Sequence, residues 1–257
     1  LQLDEPGLVF DLTESDIHLF KAIYTALLPQ KQTVKVLLQT YFGDVRDVYS
    51  DLIQLDFDGI GLDFVEGRKT AELIQTHGFP ADKELFAGVV NGKNIWRNDD
   101  QKTLEILQTL PKDSLIISTS CSLQHVPYTV SAEPELPQDI LRHFAFAEEK
   151  LLELKDLNEI FYHGQVDSLT ANQALFASER YQGNQAVQAK VAALGEADFT
   201  RTPTFAQREA IQKDIFQLPK LPTTTIGSFP QTADVRKNRL SYKRGDITKA
   251  AYDTFNQ

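Results

Sequence analysis

Apolar and polar positions along the chain alternate between two periods. Leu1-Gln-Leu-Asp-Glu-Pro6 reads as a strand, because apolar and polar residues alternate until two carboxylates and a proline, which puts Asp4 and Glu5 at its carboxyl end. Asp16 to Leu28 sets Ile17, Phe20, Ile23, Tyr24 and Leu27 at helical spacing, with Thr13 or Ser15 as a cap. The same exchange then repeats. Strands are predicted over 34–42, 59–65, 84–90 and 114–120, with helices over 46–54, 69–77 and 99–110 between them. Strands recurring every 24 to 34 residues, each with its helix, are the spacing of β/α units in a parallel sheet.

Past the fifth strand the pattern is helical. Residues 137–157 predict one long amphipathic helix with Ile140, Phe144, Ala147, Leu151 and Leu154 on one face. Residues 168–194 predict one or two surface helices, and 204–216 another whose Phe205, Ile211, Ile215 and Phe216 need a surface to pack against. Pro222 then precedes Thr223, Thr224, Thr225 and Ile226, a β-branched run that predicts a short strand turning at Gly227-Ser228. Helices are expected over 233–240 and 246–255. The division expected is 1–157 as one β/α domain, 158–220 as a helical connector and 221–257 as the start of a second domain. Both ends read as cut within an element, and no methionine occurs anywhere.

An unbroken βα series suits either a doubly wound sheet or part of a (β/α)₈ barrel. No Gly-x-Gly-x-x-Gly or Walker pattern follows a strand, and Gly59-x-Gly61 opens one instead, so the partial barrel with five units is favoured. A net charge of -10 speaks against nucleic acid or an anionic membrane as partner. No run of 18 apolar residues is present. One cysteine in 257 residues excludes a disulfide framework and points to the cytoplasm.

In a barrel the chemistry lies at carboxyl ends of strands. That rule selects Asp4, Glu5, Thr40, Tyr41, Asp63, Glu66, Asn91, Asn94, Arg97, Ser120, Cys121, Ser122, Gln124 and His125. Each has a plainer reading: Asp4 and Glu5 as loop caps, Asn91-Gly92 as a turn, Arg97 as partner to a rim carboxylate. Cys121 with His125 could be a nucleophile and base or half a zinc site, but no Cys-x-x-Cys or His-x-Cys accompanies them. Backbone N–H groups at Ile226, Gly227 and Ser228 could hold a carboxylate, with Arg236, Arg239, Lys243 and Arg244 close behind in sequence.

Several of these stretches together resemble a known family. Leu1-Gln-Leu-Asp-Glu-Pro6, Leu38-Gln-Thr-Tyr-Phe42, the run from Gly88 to Arg97, Ser118-Thr-Ser-Cys-Ser-Leu-Gln-His125 and above all Leu221-Pro-Thr-Thr-Thr-Ile-Gly-Ser-Phe-Pro-Gln-Thr232 are similar to a central portion of the cobalamin-independent methionine synthases. The resemblance implies two (β/α)₈ TIM barrels, of which the chain would hold the last five units of the N-terminal barrel and the first strand of the C-terminal one. It implies transfer of the methyl group of 5-methyltetrahydrofolate polyglutamate to L-homocysteine, giving L-methionine, by a monomeric zinc enzyme. Ile226, Gly227 and Ser228 match the family's homocysteine- and methionine-binding turn. The family's zinc ligands, a His-x-Cys pair, a glutamate and a further cysteine, would lie past Gln257, with no metal ligand within the chain. Cys121 and Asp63 would then occupy the first barrel's counterparts of the last zinc cysteine and the glutamate. On this reading the chain alone is inactive and folds only in part. The alternative is a non-catalytic binding or scaffolding fragment of a barrel protein.

Overall fold

A computed structural model of the chain describes residues 1–178, 184–225, 227 and 231–256. It divides into two units, Leu1–Gln182 and Gly183–Gln257.

The first unit is built on one parallel sheet, in which β1 (Gln2–Asp4), β2 (Leu37–Gln39), β3 (Gly59–Asp63), β4 (Glu84–Val90) and β5 (Leu115–Thr119) lie side by side in chain order. Between them come α1 (Glu14–Leu27), α2 (Tyr49–Leu52), α3 (Thr70–His77) and α4 (Asp100–Leu107). Register explains the sequence pattern. Leu3, Leu38, Ile60, Leu85 and Leu115 are directly opposite one another across all five strands. This row packs with Phe20 and Tyr24 of α1, Tyr49 and Leu52 of α2, Ile74 of α3, and Leu104 and Leu107 of α4 in one apolar core. One residue further on, Asp4, Gln39, Gly61, Phe86 and Ile116 form the row on the opposite face. That face mixes polar, apolar and glycine positions. A Cβ at Gly61 would run into the Gln39 side chain, which lies directly over it.

Local chemistry fixes the helix ends. Thr13 and Asp16 form a reciprocal capping box at the start of α1, the Asp16 carboxylate accepting the Thr13 N–H at 2.9 Å. Asp99 caps α4 by accepting the Lys102 N–H. The strand expected over 34–42 is shorter because its flanks are held by side chains, not by a ladder: Val36 N–H donates to Asp58 at 2.8 Å and Phe42 N–H to Asp63 at 2.9 Å. The helix expected over 46–54 shrinks to α2.

The single helix expected over 137–157 is two, α5 (Gln138–Leu141) and α6 (Ala147–His163). Between them Phe144 pairs in an antiparallel bridge with Trp96, and Ala145 N–H donates to Ile95 O at 2.8 Å. The buried side of α6 is also not the expected one. Leu151 is 56% exposed, while Lys150, Glu153, Leu157 and Ile160 are buried. α6 ends where Gly164 takes φ 71°, and α7 (Asp167–Ala177) follows.

The second unit is helical: α8 (Gln185–Ala192), α9 (Phe205–Phe216), α10 (Ala233–Arg244) and α11 (Lys249–Asn256). Tyr242 and Tyr252 stack with ring centroids 4.7 Å apart, joining the last two helices. Residues 204–216 are helical as the pattern predicts, yet Phe205, Ile211, Ile215 and Phe216 are all exposed, so the packing surface expected for them is not found among the described residues. The strand expected at Thr223–Ile226 is not formed over Thr223–Thr225, and Ile226 lies outside the described residues. β-branched residues favour a pleated strand only where a neighbouring strand accepts the ladder, and none does so here among the described residues.

Candidate functional site

The carboxyl ends of the five strands carry most of the residues singled out by sequence, and the structure sorts them into two groups. Asp4, Tyr41, Cys121, Ser122, Gln124 and His125 line one cavity of about 750 Å³, together with Gln39 and Phe86 from the sheet face opposite the core. Asp63, Glu66, Asn91 and Asn94 belong instead to a hydrogen-bonded collar of loops beside it.

Asp63 is the hub of that collar. Fully buried at the end of β3, it accepts Val65 N–H at 2.7 Å and Glu66 N–H at 2.9 Å on one oxygen, and Phe42 N–H at 2.9 Å on the other. Burial pushes its carboxyl pKa up against these three donors, which pull the other way. Glu66 pairs with Lys93 at 2.8 Å, and the Lys93 ammonium also sits 4.6 Å from the centre of the Phe42 ring. Asn91 Oδ1 accepts Lys93 N–H at 2.8 Å and Asn94 N–H at 3.0 Å, the turn its type favours. Asn94 in turn accepts Trp96 N–H at 3.1 Å. The collar closes on β5: Gly92 N–H donates to Ser120 Oγ at 3.2 Å, and a Cβ on Gly92 would come within 2.6 Å of Cys121 O.

The remaining candidates are similarly engaged. Glu5 accepts the Tyr24 hydroxyl of α1, and Asp4 accepts Gln2 Nε2 at 2.8 Å. Thr40 Oγ1 donates to Gly61 O at 2.8 Å. Arg97 leaves the rim and points at Glu153 of α6. Cys121 and His125 share the cavity without forming a dyad: the thiol lies 3.7 Å from Ser122 O, and His125 meets Phe42 edge-on at 5.6 Å. Burial raises the Cys121 thiol pKa, the opposite of what an activated nucleophile needs. Among the described residues no three His, Cys, Asp or Glu side chains come together as a metal site.

Sequence reasoning passed over Lys93, Phe42 and Gln39, which do as much at this rim as the residues it named. Lys93 sits between Asn91 and Asn94 in a stretch already marked as a turn, so its spacing was available. The role of Gln39 could not be read, because it depends on Gly61 lying opposite in the next strand.

Of the turn predicted at 226–228, Gly227 is described, and Ile226 and Ser228 lie outside the described residues. Gly227 is exposed with φ +76°, a left-handed conformation that suits glycine, and its carbonyl accepts Thr225 Oγ1 at 3.3 Å. Among the described residues nothing stands within 4 Å of where its Cβ would be, and the positive φ is what favours glycine at this position.

Comparison with known proteins finds two family matches in the chain. Residues 1–114 match the family described as cobalamin-independent synthase, N-terminal domain, and residues 221–257 match its catalytic domain. The chain is 55% identical over 255 residues to a 5-methyltetrahydropteroyltriglutamate–homocysteine methyltransferase of Streptococcus thermophilus. It is 56% identical over 256 residues to that of Lactococcus lactis subsp. cremoris. In both cases 99% of this chain is aligned. The chain is homologous to one stretch of this methyltransferase family. It spans 34% of the length of these relatives. A B12-independent methionine synthase from Shewanella sp. W3-18-1, solved in complex with selenomethionine, aligns with TM-score 0.40 and 18% identity over 63% of this chain and 48% of that one, too loosely to bear on the argument.

Proposed function

We infer that the chain is part of a methyltransferase that moves the methyl group of 5-methyltetrahydrofolate polyglutamate to L-homocysteine. One observation carries this reading: the stretch matching the catalytic domain opens on Leu221–Thr232, in which Gly227 holds the left-handed turn. Where a left-handed residue adjoins a right-handed one, successive backbone N–H groups converge, and such a concavity binds a carboxylate such as that of an amino acid. Ile226, Gly227 and Ser228 are assigned this role, the Ser228 hydroxyl adding one donor.

Zinc chemistry, which would hold a thiol as its thiolate, does not fit these residues. With one cysteine in the chain and no metal-ligand cluster among the described residues, the zinc of such an enzyme would be held by residues outside this sequence. What the first unit contributes is a rigid rim, because its polar groups are already engaged with one another. That engagement also favours the second reading, a scaffolding role for the first unit. No helix among the described residues is long and apolar enough to cross a membrane.

The test uses the whole protein. Ser228→Ala should raise KM for homocysteine about tenfold with kcat nearly unchanged, the cost of one hydrogen bond to a charged group. An unchanged KM would remove the 226–228 turn from the substrate site. The 257-residue chain alone should form no methionine; measurable turnover would show that it holds a complete site.

A further inference from the structure

Behind the rim, two buried titratable side chains on α6 hold the backbone of the 91–98 loop. Lys150, fully buried, donates its ammonium to Trp96 O at 3.1 Å. Glu153, 4% exposed, accepts Asn98 N–H on Oε1 at 3.0 Å. The loop is further tied by Arg97 N–H to His143 O at 2.9 Å and by Asn172 Nδ2 to Asn98 O at 2.8 Å. Glu153 is the odd member. Its Oε2 is buried with no hydrogen-bond partner, and the Arg97 guanidinium stands 3.9 Å from Oε1, beyond hydrogen-bond length. An ionised oxygen in that position would be desolvated and undonated, the costliest state for a carboxylate. A proton on Oε2 removes the charge and leaves Oε1 free to accept from Asn98.

We propose that Glu153 is a proton-controlled latch: it carries a proton on Oε2 while the 91–98 loop is seated, and loss of that proton to solvent unseats the loop. The charged groups acting on it are Lys150 on its own helix, Arg97 from the loop and Asp100 at the start of α4; Asp99 and Asp156 act on Asp100, and Cys121 at the end of β5 acts on Lys150. Burial outweighs the Asn98 N–H and the two cations and pushes the Glu153 pKa up to about 7. Unseating the loop wets the carboxyl and returns it to the ordinary range. The seated state therefore binds the proton more tightly, and raising the pH through about 7 favours release. Asp100, bonded to Asn98 Nδ2 at 2.8 Å and raised by burial to about 6, acts in the same direction. Lys150 acts the other way, since burial lowers its pKa and its charging disfavours seating. The loop carries Asn91, Lys93 and Asn94 to the rim, so Glu153 is a positioning residue for the Lys93–Glu66 pair. This inference does not depend on the methyl-transfer reading.

Trp96 lies in the loop and is the chain's one tryptophan, so its fluorescence reports the loop directly. In the 257-residue chain, quenching of Trp96 by acrylamide should increase with pH in a step centred near neutrality. Glu153→Gln, a neutral isostere that keeps the acceptor for Asn98, should abolish the step and hold the quenching at its low-pH level throughout. Asp100→Asn should keep the step near neutrality. If Glu153→Gln gives the high-pH level of quenching at every pH, Glu153 works as an ionised partner of Arg97 and Lys150 and the latch is refuted. A step that survives in Glu153→Gln refutes it too and assigns the titration to another group such as His143. Infrared difference spectra supply a second reading: a protonated carboxyl band that disappears through the same step, retained in Asp100→Asn and lost in Glu153→Gln, supports the latch, and its absence overturns it.

Discussion

Replacing Asp63 tests whether the rim is a structural collar. Its carboxylate receives three backbone N–H groups, two from the loop after β3 and one from Phe42 at the end of the neighbouring strand. An asparagine keeps one oxygen, which can still accept Val65 and Glu66, but turns an NH₂ toward the Phe42 N–H. One donor is then left facing another donor. Losing a hydrogen bond to a charged acceptor and burying its donor unpaired costs about 2 kcal/mol. Alanine orphans all three donors, and even with water entering the vacated space the loss should reach about 4 kcal/mol. The assay is urea unfolding of the 257-residue chain followed by far-ultraviolet circular dichroism, with the midpoints compared at constant slope. The order unsubstituted, asparagine, alanine should appear with roughly equal gaps. An asparagine variant within about 0.5 kcal/mol of the parent would refute the reasoning. So would an asparagine variant as damaged as the alanine one, which would mean that charge and not donor count is what the position needs.

Two other substitutions probe the same unit. Leu157→Ala removes a side chain that α6 buries completely in the core and should cost about 3 kcal/mol, measured by the same unfolding assay. Gly67→Ala would drive a methyl into Asp63 O and the Thr70 hydroxyl that donates to it, costing about 2 kcal/mol and loosening Lys93 from Glu66, which a shift in the Lys93 side-chain NMR signals would report.

The five β/α units were legible because each strand announces itself twice, by an apolar row and by the turn that follows. Leu3, Leu38, Ile60, Leu85 and Leu115 come into line through a local pattern repeated five times. The errors arose where partners are distant in sequence. The break between α5 and α6 is set by the pairing of Phe144 with Trp96, and no local property of residues 142–146 reveals it. The face of α6 was misread because Lys150 and Glu153 are polar by type and buried by circumstance, their partners Trp96 and Asn98 lying more than fifty residues away. The rim was legible as a set of positions but not as a set of roles. A strand-end carboxylate looks the same in sequence whether it awaits a ligand or, like Asp63, is already surrounded by amides.

The order of the strands bears on how the first unit comes into being. Among the described residues each strand hydrogen-bonds to those immediately before and after it in the chain, so the sheet can lengthen by one β/α unit at a time as the polypeptide leaves the ribosome. Loop closure at each step spans a single crossover, which keeps its entropic cost low. Such a sheet behaves much like a linear array in which neighbours stabilise neighbours. Damage at β5 should then leave the pairing of β1 with β2 largely intact, and the history of such a fold can proceed by copying or trimming whole units.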